Sequence, residues 1–332
     1  AVGVCGAMNE APSFVVMFSL YTLSVAFFMP TLALSNSVAF QSLENAGMDT
    51  VKDFPPIRVF GTVGFIVSMW AVDLLGFKPS PNQFFISAGL GAVLALYAFT
   101  LPHCPVTAKG TRFSLGDALG IEAFKLFKNH RMAIFFIFSM LLGVSLQITN
   151  SYATPFISHF GADAHYADTF GVQHSVILYS LRQVSENFCI LLIPFFMKRF
   201  GIKKVMMIAM GAWVFRFGLF GAGNPGEGVW MFVLSMIVYG VAFDFFNVSG
   251  ALFVNKNVSA EMRSSAQGLF MIMTNGLGAS LGMIVAGAVV NKYTYWENNL
   301  QLGEWSIVWY IFAAYALVVL LLFAFIFKEE KA

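Results

Sequence analysis

Long apolar stretches of about 20 residues recur along most of this chain. An α-helix needs about 20 such residues to cross the hydrocarbon core of a bilayer. Only 11% of the 332 residues are charged, whereas soluble domains carry about 25%. The pattern predicts an all-α integral membrane protein with nine full transmembrane helices. The predicted spans are residues 13–36, 57–75, 83–101, 132–151, 170–197, 203–222, 229–250, 264–290 and 305–327.

The basic residues between the apolar stretches predict the orientation of the helices. Fourteen Lys and Arg residues fall in alternate connections and in the C-terminal tail. The opposite connections contain only Lys78 and Lys292. Because cytoplasmic loops of membrane proteins are enriched in Lys and Arg, this bias predicts a cytoplasmic C-terminus.

The longest basic connection, residues 102–131, separates three predicted helices from six. Transporters are often built from two related halves. We therefore expect residues 1–101 to be the remainder of an N-terminal six-helix bundle and residues 132–332 to be a C-terminal six-helix bundle. The apolar stretch 1–8 is too short to cross a bilayer, and we expect it to be the stub of a preceding helix.

Polar side chains interrupt the apolar stretches at helical spacing. An ionisable group at membrane depth costs about 2.5–3.5 kcal/mol on insertion scales, so it faces a cavity or a partner. Two prolines in FPPIRVF predict a turn just before the helix that carries Arg58. Amide, hydroxyl and carboxylate groups beside aromatic rings suit a polyhydroxylated ring, or a base with its sugar. The stripes comprise Arg58, Thr62 and Phe65; Gln147 and Asn150; Arg182, Gln183 and Glu186; and Tyr239, Phe243, Asp244 and Asn247.

The same residues also have structural interpretations. Asn and Gln often form hydrogen bonds between membrane helices, so Gln147 and Asn150 alone favour packing. Arg182 and Glu186 can form an i,i+4 ion pair, and Arg216 can be a structural cation. Their joint occurrence on four helices is what favours a binding site.

Other classes of function find little support in the sequence. The three cysteines lack CxxC spacing. His159, His165 and His174 share one predicted solvated loop with Asp163 and Asp168, at spacings that fit no standard metal site. A net charge of +2 without a basic run argues against nucleic acid. We expect no cofactor, no metal and no nucleic-acid partner.

Four segments resemble the nucleoside:proton symporters of the major facilitator superfamily, and the resemblance runs from the stub to the last helix. It implies a twelve-helix fold in two bundles around a cavity that opens alternately to each side. The first two helices and most of the third would be absent from this chain. The segments are LENAGMDTVKDFPPIRVFGTVGF (43–65), FKNHRMAIFFIFSMLLGVSLQITN (127–150), SMIVYGVAFDFFNVSG (235–250) and SAQGLFMIMTNGLG (265–278).

The resemblance also implies roles for individual residues. Asp244 matches an acidic position that is important for function in the family, and it is a proton-coupling candidate together with Glu186. Arg182 departs from the family pattern, in which a small polar residue is usual, and it would alter the proton affinity of Glu186. The implied substrate-binding residues are Arg58, Thr62, Phe65, Gln147, Asn150, Gln183, Glu186, Tyr239 and Phe243.

The expected function is proton-driven uptake of nucleosides across the bacterial cytoplasmic membrane by a monomer. One alternative is an oligosaccharide:proton symporter, because RVFGTVGF (58–65) also suits that group. A transport-incompetent fragment or sensor is a further alternative. An integral-membrane enzyme would need a nucleophile–base or metal constellation near the membrane surface.

Overall fold

The computed structural model describes residues 14–75, 81–101, 121–173, 175–298 and 300–327. The stub 1–8, most of the predicted connection 102–131 and His174 lie outside the described residues. In chain order, the helices are α1 (Phe14–Asn45), α2 (Thr50–Leu74), α3 (Asn82–Ala98), α4 (His130–His159), α5 (Phe170–Gln173), α6 (Ser175–Ala222), α7 (Val229–Asn257), α8 (Arg263–Met271), α9 (Ala279–Tyr293) and α10 (Trp305–Ile326). A π-helical segment, Ile272–Gly278, joins α8 to α9, and short 3-10 helices form at Ile121–Lys128, Phe160–Ala162 and Ala260–Met262.

The helices confirm the predicted all-α membrane fold. The described residues of the predicted apolar stretches are mostly helical, although 170–197 extends over α5 and α6 and 264–290 extends over α8, the π segment and α9. Six helical stretches there are long and apolar enough to cross a membrane: Phe14–Asn45, His130–Ala162, Leu181–Ala222, Val229–Asn257, Ala260–Tyr293 and Trp305–Ile326. The predicted spans 170–197 and 203–222 meet within α6 at a kink, where Gly201 has φ 76° and ψ 169°. Glycine adopts this conformation because it has no Cβ.

Helix α2 begins earlier than predicted. The Asp49 carboxylate accepts a hydrogen bond from the Val51 N–H at 2.8 Å, and Asp53 accepts one from the Asp49 N–H at 3.0 Å. These bonds cap the first turn of the helix at Thr50. Pro55 and Pro56 therefore lie inside α2, with the φ that a helix requires. The predicted turn at these prolines is wrong.

Helix α4 continues eight residues beyond its predicted end and stops at His159. The ring of His159 lies 4.0 Å from the ring of Phe160, centre to centre, and it also stacks on Phe156 at 5.4 Å. His159 is therefore part of an aromatic cluster, and its predicted place in a solvated loop is wrong. Aromatic packing makes this helical extension favourable.

A short hairpin precedes the last helix and was not predicted. Strands β1 (Thr294–Glu297) and β2 (Leu300–Gly303) pair antiparallel, with Thr294 opposite Gly303. The buried Gln301 side chain donates to the Thr294 hydroxyl at 3.0 Å. The hairpin leads the chain from α9 into α10.

Close approach of α6 and α7 positions the polar residues. A Cβ placed on Gly240 of α7 would lie 2.6 Å from Ser185 Oγ of α6. Only a residue without a side chain allows this contact, as at many helix interfaces in membranes. The consequence is that Arg182 and Ser185 of α6 lie against the segment of α7 that carries Tyr239.

Aromatic rings join α4, α7 and α8 into one core. The Phe135 ring lies 4.7 Å from that of Phe253 and 5.4 Å from that of Phe270. All three rings are buried. This core holds α7 and α8 against α4. The π segment continues from the end of α8.

Candidate functional site

Tyr239 lies at the centre of the polar residues of α6 and α7. Its side chain is 3% exposed. The Arg182 guanidinium carbon lies 5.3 Å from its ring centre, and that of Arg216 lies 4.8 Å away. Phe243 stacks on Tyr239 at 5.6 Å, with 12° between the ring planes. Cation–π attraction and stacking therefore hold the ring in one orientation.

Arg182 connects α6 to α4. Its guanidinium donates to the Asn150 carbonyl oxygen at 3.2 Å. Gln183, the next residue, is only 1% exposed. Glu186 interacts electrostatically with Arg182 and also with Arg58 and Arg216. The Arg182–Glu186 interaction is therefore part of a larger group of charges rather than an isolated pair.

Asp244 brings a second carboxylate into this group. It is 1% exposed, and it interacts electrostatically with Glu186 and Arg58. Its Oδ2 atom has no hydrogen-bond partner within the described residues. Arg58, Arg182, Glu186, Arg216 and Asp244 together form what we call the charged cluster. A buried carboxylate needs a neighbouring cation or a bound proton, and the cluster offers both possibilities.

Arg216 is fully buried and links α6 to α7. It donates to the Ser235 carbonyl and, at 3.3 Å, to the Ser235 hydroxyl. It lies over the ring of Phe220 as well as over that of Tyr239. These contacts agree with the structural interpretation of Arg216 and also place its charge beside Tyr239.

The three residues of the predicted stripe on helix α2 differ in how deeply they are buried. Arg58 is partly buried, Thr62 is 6% exposed and Phe65 is 51% exposed. Arg58 interacts electrostatically with Glu186 and Asp244. Phe65 does not line the cavity beside Arg58 among the described residues. A role for Phe65 in binding stays a prediction.

A cavity of about 210 Å³ lies between α1, α2, α7 and the π segment. Arg58, Phe243 and Asn247 of the predicted stripes line it together with polar residues that the sequence interpretation did not identify. These are Ser35 and Asn36 of α1 and Asn275 of the π segment. A polar residue within an apolar stretch, the same signal that identified the predicted stripes, could have identified them.

Gln147 makes no hydrogen bond to the charged cluster within the described residues. Its amide donates to the Ser151 hydroxyl at 2.9 Å, and that hydroxyl contacts Met283 Sδ at 2.9 Å. These contacts connect α4 with α9. They favour the packing interpretation of Gln147 in this conformation, and its role in binding stays a prediction.

The chain matches the nucleoside H+ symporter family over residues 4–332. It belongs to the nucleoside H+ symporter family. This membership confirms the predicted resemblance, and it agrees with the helical membrane fold. The location of the charged cluster within that fold makes it the candidate functional site of this family member.

Individual relatives in the nucleoside H+ symporter family share about half of the residues of the chain. The nucleoside permease NupG of Escherichia coli (strain K12) is 52% identical over 315 residues, which cover 95% of the chain and 74% of NupG. The xanthosine permease of the same organism is 50% identical over 313 residues, covering 94% of the chain and 74% of the permease. A crystal structure of NupG superposes with a TM-score of 0.66 at 52% identity, covering 91% of this chain and 74% of that one.

Proposed function

We propose that this protein takes up nucleosides across the bacterial inner membrane together with protons, by alternating access. The observation that carries the proposal is family membership along residues 4–332. The geometry supports it, because a buried cluster of charges adjoins a cavity lined by amides and an aromatic ring. Similarity at about half identity to nucleoside and xanthosine permeases favours nucleosides over oligosaccharides.

Substrate binding is assigned to the residues of the predicted stripes. Sugar hydroxyls would bond Gln183, Glu186 and Asn150, while the base stacks on Phe243 or Phe65. Stacking and hydrogen bonds to precisely placed polar groups are how such sites hold small ligands. The other residues assigned to binding are Arg58, Thr62, Gln147 and Tyr239.

Proton coupling is assigned to Asp244 and Glu186. With both carboxylates ionised, the charged cluster contains three cations and two anions. Protonation of one carboxylate changes this balance by a full charge among buried and partly buried groups, which is a large electrostatic change. A proton that enters down a potential of 100 mV supplies about 2.3 kcal/mol, and this energy drives accumulation of the substrate.

The arrangement in the membrane follows from the distribution of Lys and Arg. We place the C-terminus in the cytoplasm, residues 1–101 in one bundle and residues 132–332 in the other, with 102–131 connecting them. We propose that the transporter acts as a monomer. Accessibility labelling of single cysteines from each side of the membrane tests this topology.

One segment of the chain matches a motif of serine enzymes, but its position within helical structure argues against the enzyme alternative. GASLG (278–282) fits GxSxG, but Gly278 ends the π segment and Ser280 lies in the first turn of α9. A nucleophilic serine of that motif needs a sharp turn from strand to helix. The motif here is a run of small residues at a helix interface, where Gly282 lies against Val144.

Uptake of radiolabelled uridine into proteoliposomes tests the proposal. We expect accumulation that a protonophore abolishes and that other nucleosides compete. Asp244→Asn should lose accumulation, whereas Asp163→Asn, which removes an exposed loop carboxylate that caps His165 at 2.8 Å, should retain it. Competition by disaccharides would favour the oligosaccharide alternative. Uridine uptake that ignores the protonophore would exclude symport, and a lack of uptake would support the fragment or sensor alternative.

A further inference from the structure

Two carboxamides approach the cavity beside Arg58 from different helices. Asn247 extends from α7 and Asn275 from the π segment, and both line the cavity of about 210 Å³. The same two residues line a smaller adjoining void together with Phe243 and Trp213. Asn247 and Asn275, with Phe243 between the two spaces, form what we call the amide pocket.

The carboxamides of the amide pocket lack strong protein partners. Asn275 donates to Met271 Sδ at 3.4 Å, and a thioether sulfur is a weak acceptor. Within the described residues, the Asn275 carbonyl oxygen and the whole Asn247 side chain have no hydrogen-bond partner. A polar group at membrane depth is costly without a partner. Water or a ligand in the cavity must therefore satisfy these groups.

Backbone contacts determine where Asn275 lies. A Cβ on Gly143 of α4 would be 2.1 Å from the Thr274 carbonyl oxygen, and one on Gly278 would be 2.5 Å from the Met140 carbonyl oxygen. Helix α4 and the π segment thus meet backbone to backbone on both sides of Asn275. Thr274 faces α4, and the next residue lines the cavity. Short π-helical segments within α-helices occur frequently at functional sites.

The chemistry of the amide pocket suits the edge of a nucleobase. Each carboxamide offers a donor and an acceptor, the pattern with which Asn and Gln bind bases bidentately. The Phe243 ring supplies a stacking surface, and base–aromatic stacking contributes about 1–3 kcal/mol per base. The cavity is smaller than the about 300–1,000 Å³ of sites that enclose a drug-sized ligand. It therefore suits the base of a nucleoside rather than the whole molecule.

We propose that Asn247 and Asn275 bind the hydrogen-bonding edge of a neutral nucleobase in the amide pocket, while the base stacks on Phe243. The sugar then extends toward Gln183 and Glu186. This assignment rests on the proposed nucleoside transport. It makes the amide pocket the part of the site that selects the base, because a base edge lacking its N–H leaves a carboxamide oxygen unpaired.

Paired measurements with uridine and 3-methyluridine test the proposal. The methyl group removes the N3–H donor but leaves the ring and the sugar intact. For the full chain in proteoliposomes, we expect Asn247→Ala and Asn275→Ala to raise the KM for uridine about tenfold, and the KM for 3-methyluridine by less than about twofold. Asn257→Ala, which removes a side chain that bonds the Phe253 carbonyl at 2.8 Å near the end of α7, should change neither.

Isosteric variants guard against a loss of folding. Asn247→Asp and Asn275→Asp retain the volume and the acceptor for the N3–H but lose the amide donor. We therefore expect them to keep the preference for uridine over 3-methyluridine that the alanine variants lose. In the alanine variants, an equal loss for both nucleosides, or no change for either, would overturn the role of the amide pocket while leaving nucleoside transport intact. Absence of uptake of any nucleoside by the unaltered protein would instead overturn the proposed function.

Discussion

Glu44 links α1 to α7 and α8 at the end of the helices that we propose faces the cytoplasm. Its Oε1 accepts a hydrogen bond from Asn255 Nδ2 at 3.0 Å, and its Oε2 pairs with the Arg263 guanidinium. Nearby, the Ser37 and Ser264 hydroxyls bond each other at 2.7 Å. These contacts join the two proposed bundles, so a transporter that opens this end must break them.

The free energy of this contact can be worked from its exposure. The side chains of Arg263 and Glu44 are 22% and 34% exposed. Fully exposed ion pairs contribute about 0.2–1 kcal/mol, and hydrogen bonds to charged groups about 1.5–3 kcal/mol. Glu44→Gln retains the shape and the bond from Asn255 but loses the charge. We expect a loss of about 1 kcal/mol, which shifts the ratio of open to closed conformations about fivefold.

Distance measurements between two spin labels test this expectation. With the native cysteines replaced, labels at Asn45 and Asn257 report the separation of α1 from α7. The ratio of the long-distance to the short-distance population should rise about fivefold in Glu44→Gln. Glu122→Gln is the matched control, because Glu122 pairs with Lys125 within one short helix. It removes the same charge without crossing between bundles.

Two results would refute the reasoning. One is an unchanged distance distribution in Glu44→Gln. The other is an equal shift in Glu122→Gln, which would show an effect of net charge rather than of this contact. The double variant Glu44→Arg with Arg263→Glu should restore the closed population at least in part, because it exchanges the charges across the same contact.

Three further predictions concern the site and the packing around it. Asp244→Asn should abolish the accumulation of uridine, for which a potential of 100 mV supplies a driving force of about 50-fold in the unaltered protein. The variant should still exchange labelled for unlabelled uridine across the membrane. Arg182→Gln should raise the KM for uridine about 10- to 150-fold, as expected for the loss of a charged hydrogen bond of about 1.5–3 kcal/mol, measured by initial uptake rates. Gly143→Ala should destabilise the protein by about 1–3 kcal/mol, because the added Cβ would lie 2.1 Å from the Thr274 carbonyl oxygen. A lower Tm in detergent checks this expectation. Gly218→Ala is the control, because a Cβ on Gly218 has nothing within 4 Å.

The errors in the predicted helix boundaries have local causes. Pro55 and Pro56 indicate a turn by composition, but the Asp49 and Asp53 carboxylates start the helix ahead of them. Polar residues suggested a loop after residue 151, but aromatic packing around Phe156 carries α4 to His159. In both places, contacts outside the hydrophobic pattern decided where the helix begins or ends.

The candidate site was predictable in part. Arg58, Glu186 and Asp244 were identified because a charge within an apolar stretch is expensive wherever the helix faces lipid. Asn275 was not assigned, because no polar residue lies three or four positions from it on its helix. Its position in a π segment depends on the backbone contact at Gly143, and periodicity does not reveal such a contact.

Hydrophobicity and the positions of the charges were enough to determine that this chain is a helical membrane protein, and on which helices its polar residues lie. Both properties depend on the residues of a single segment and on its contact with lipid, so they do not depend on how the helices pack together. Which polar groups meet was decided only by tertiary structure. Arg216 and Tyr239, or Asn247 and Asn275, become neighbours through helix packing at Gly240, Gly143 and Gly278, because the distance between two helices depends on the residues of both.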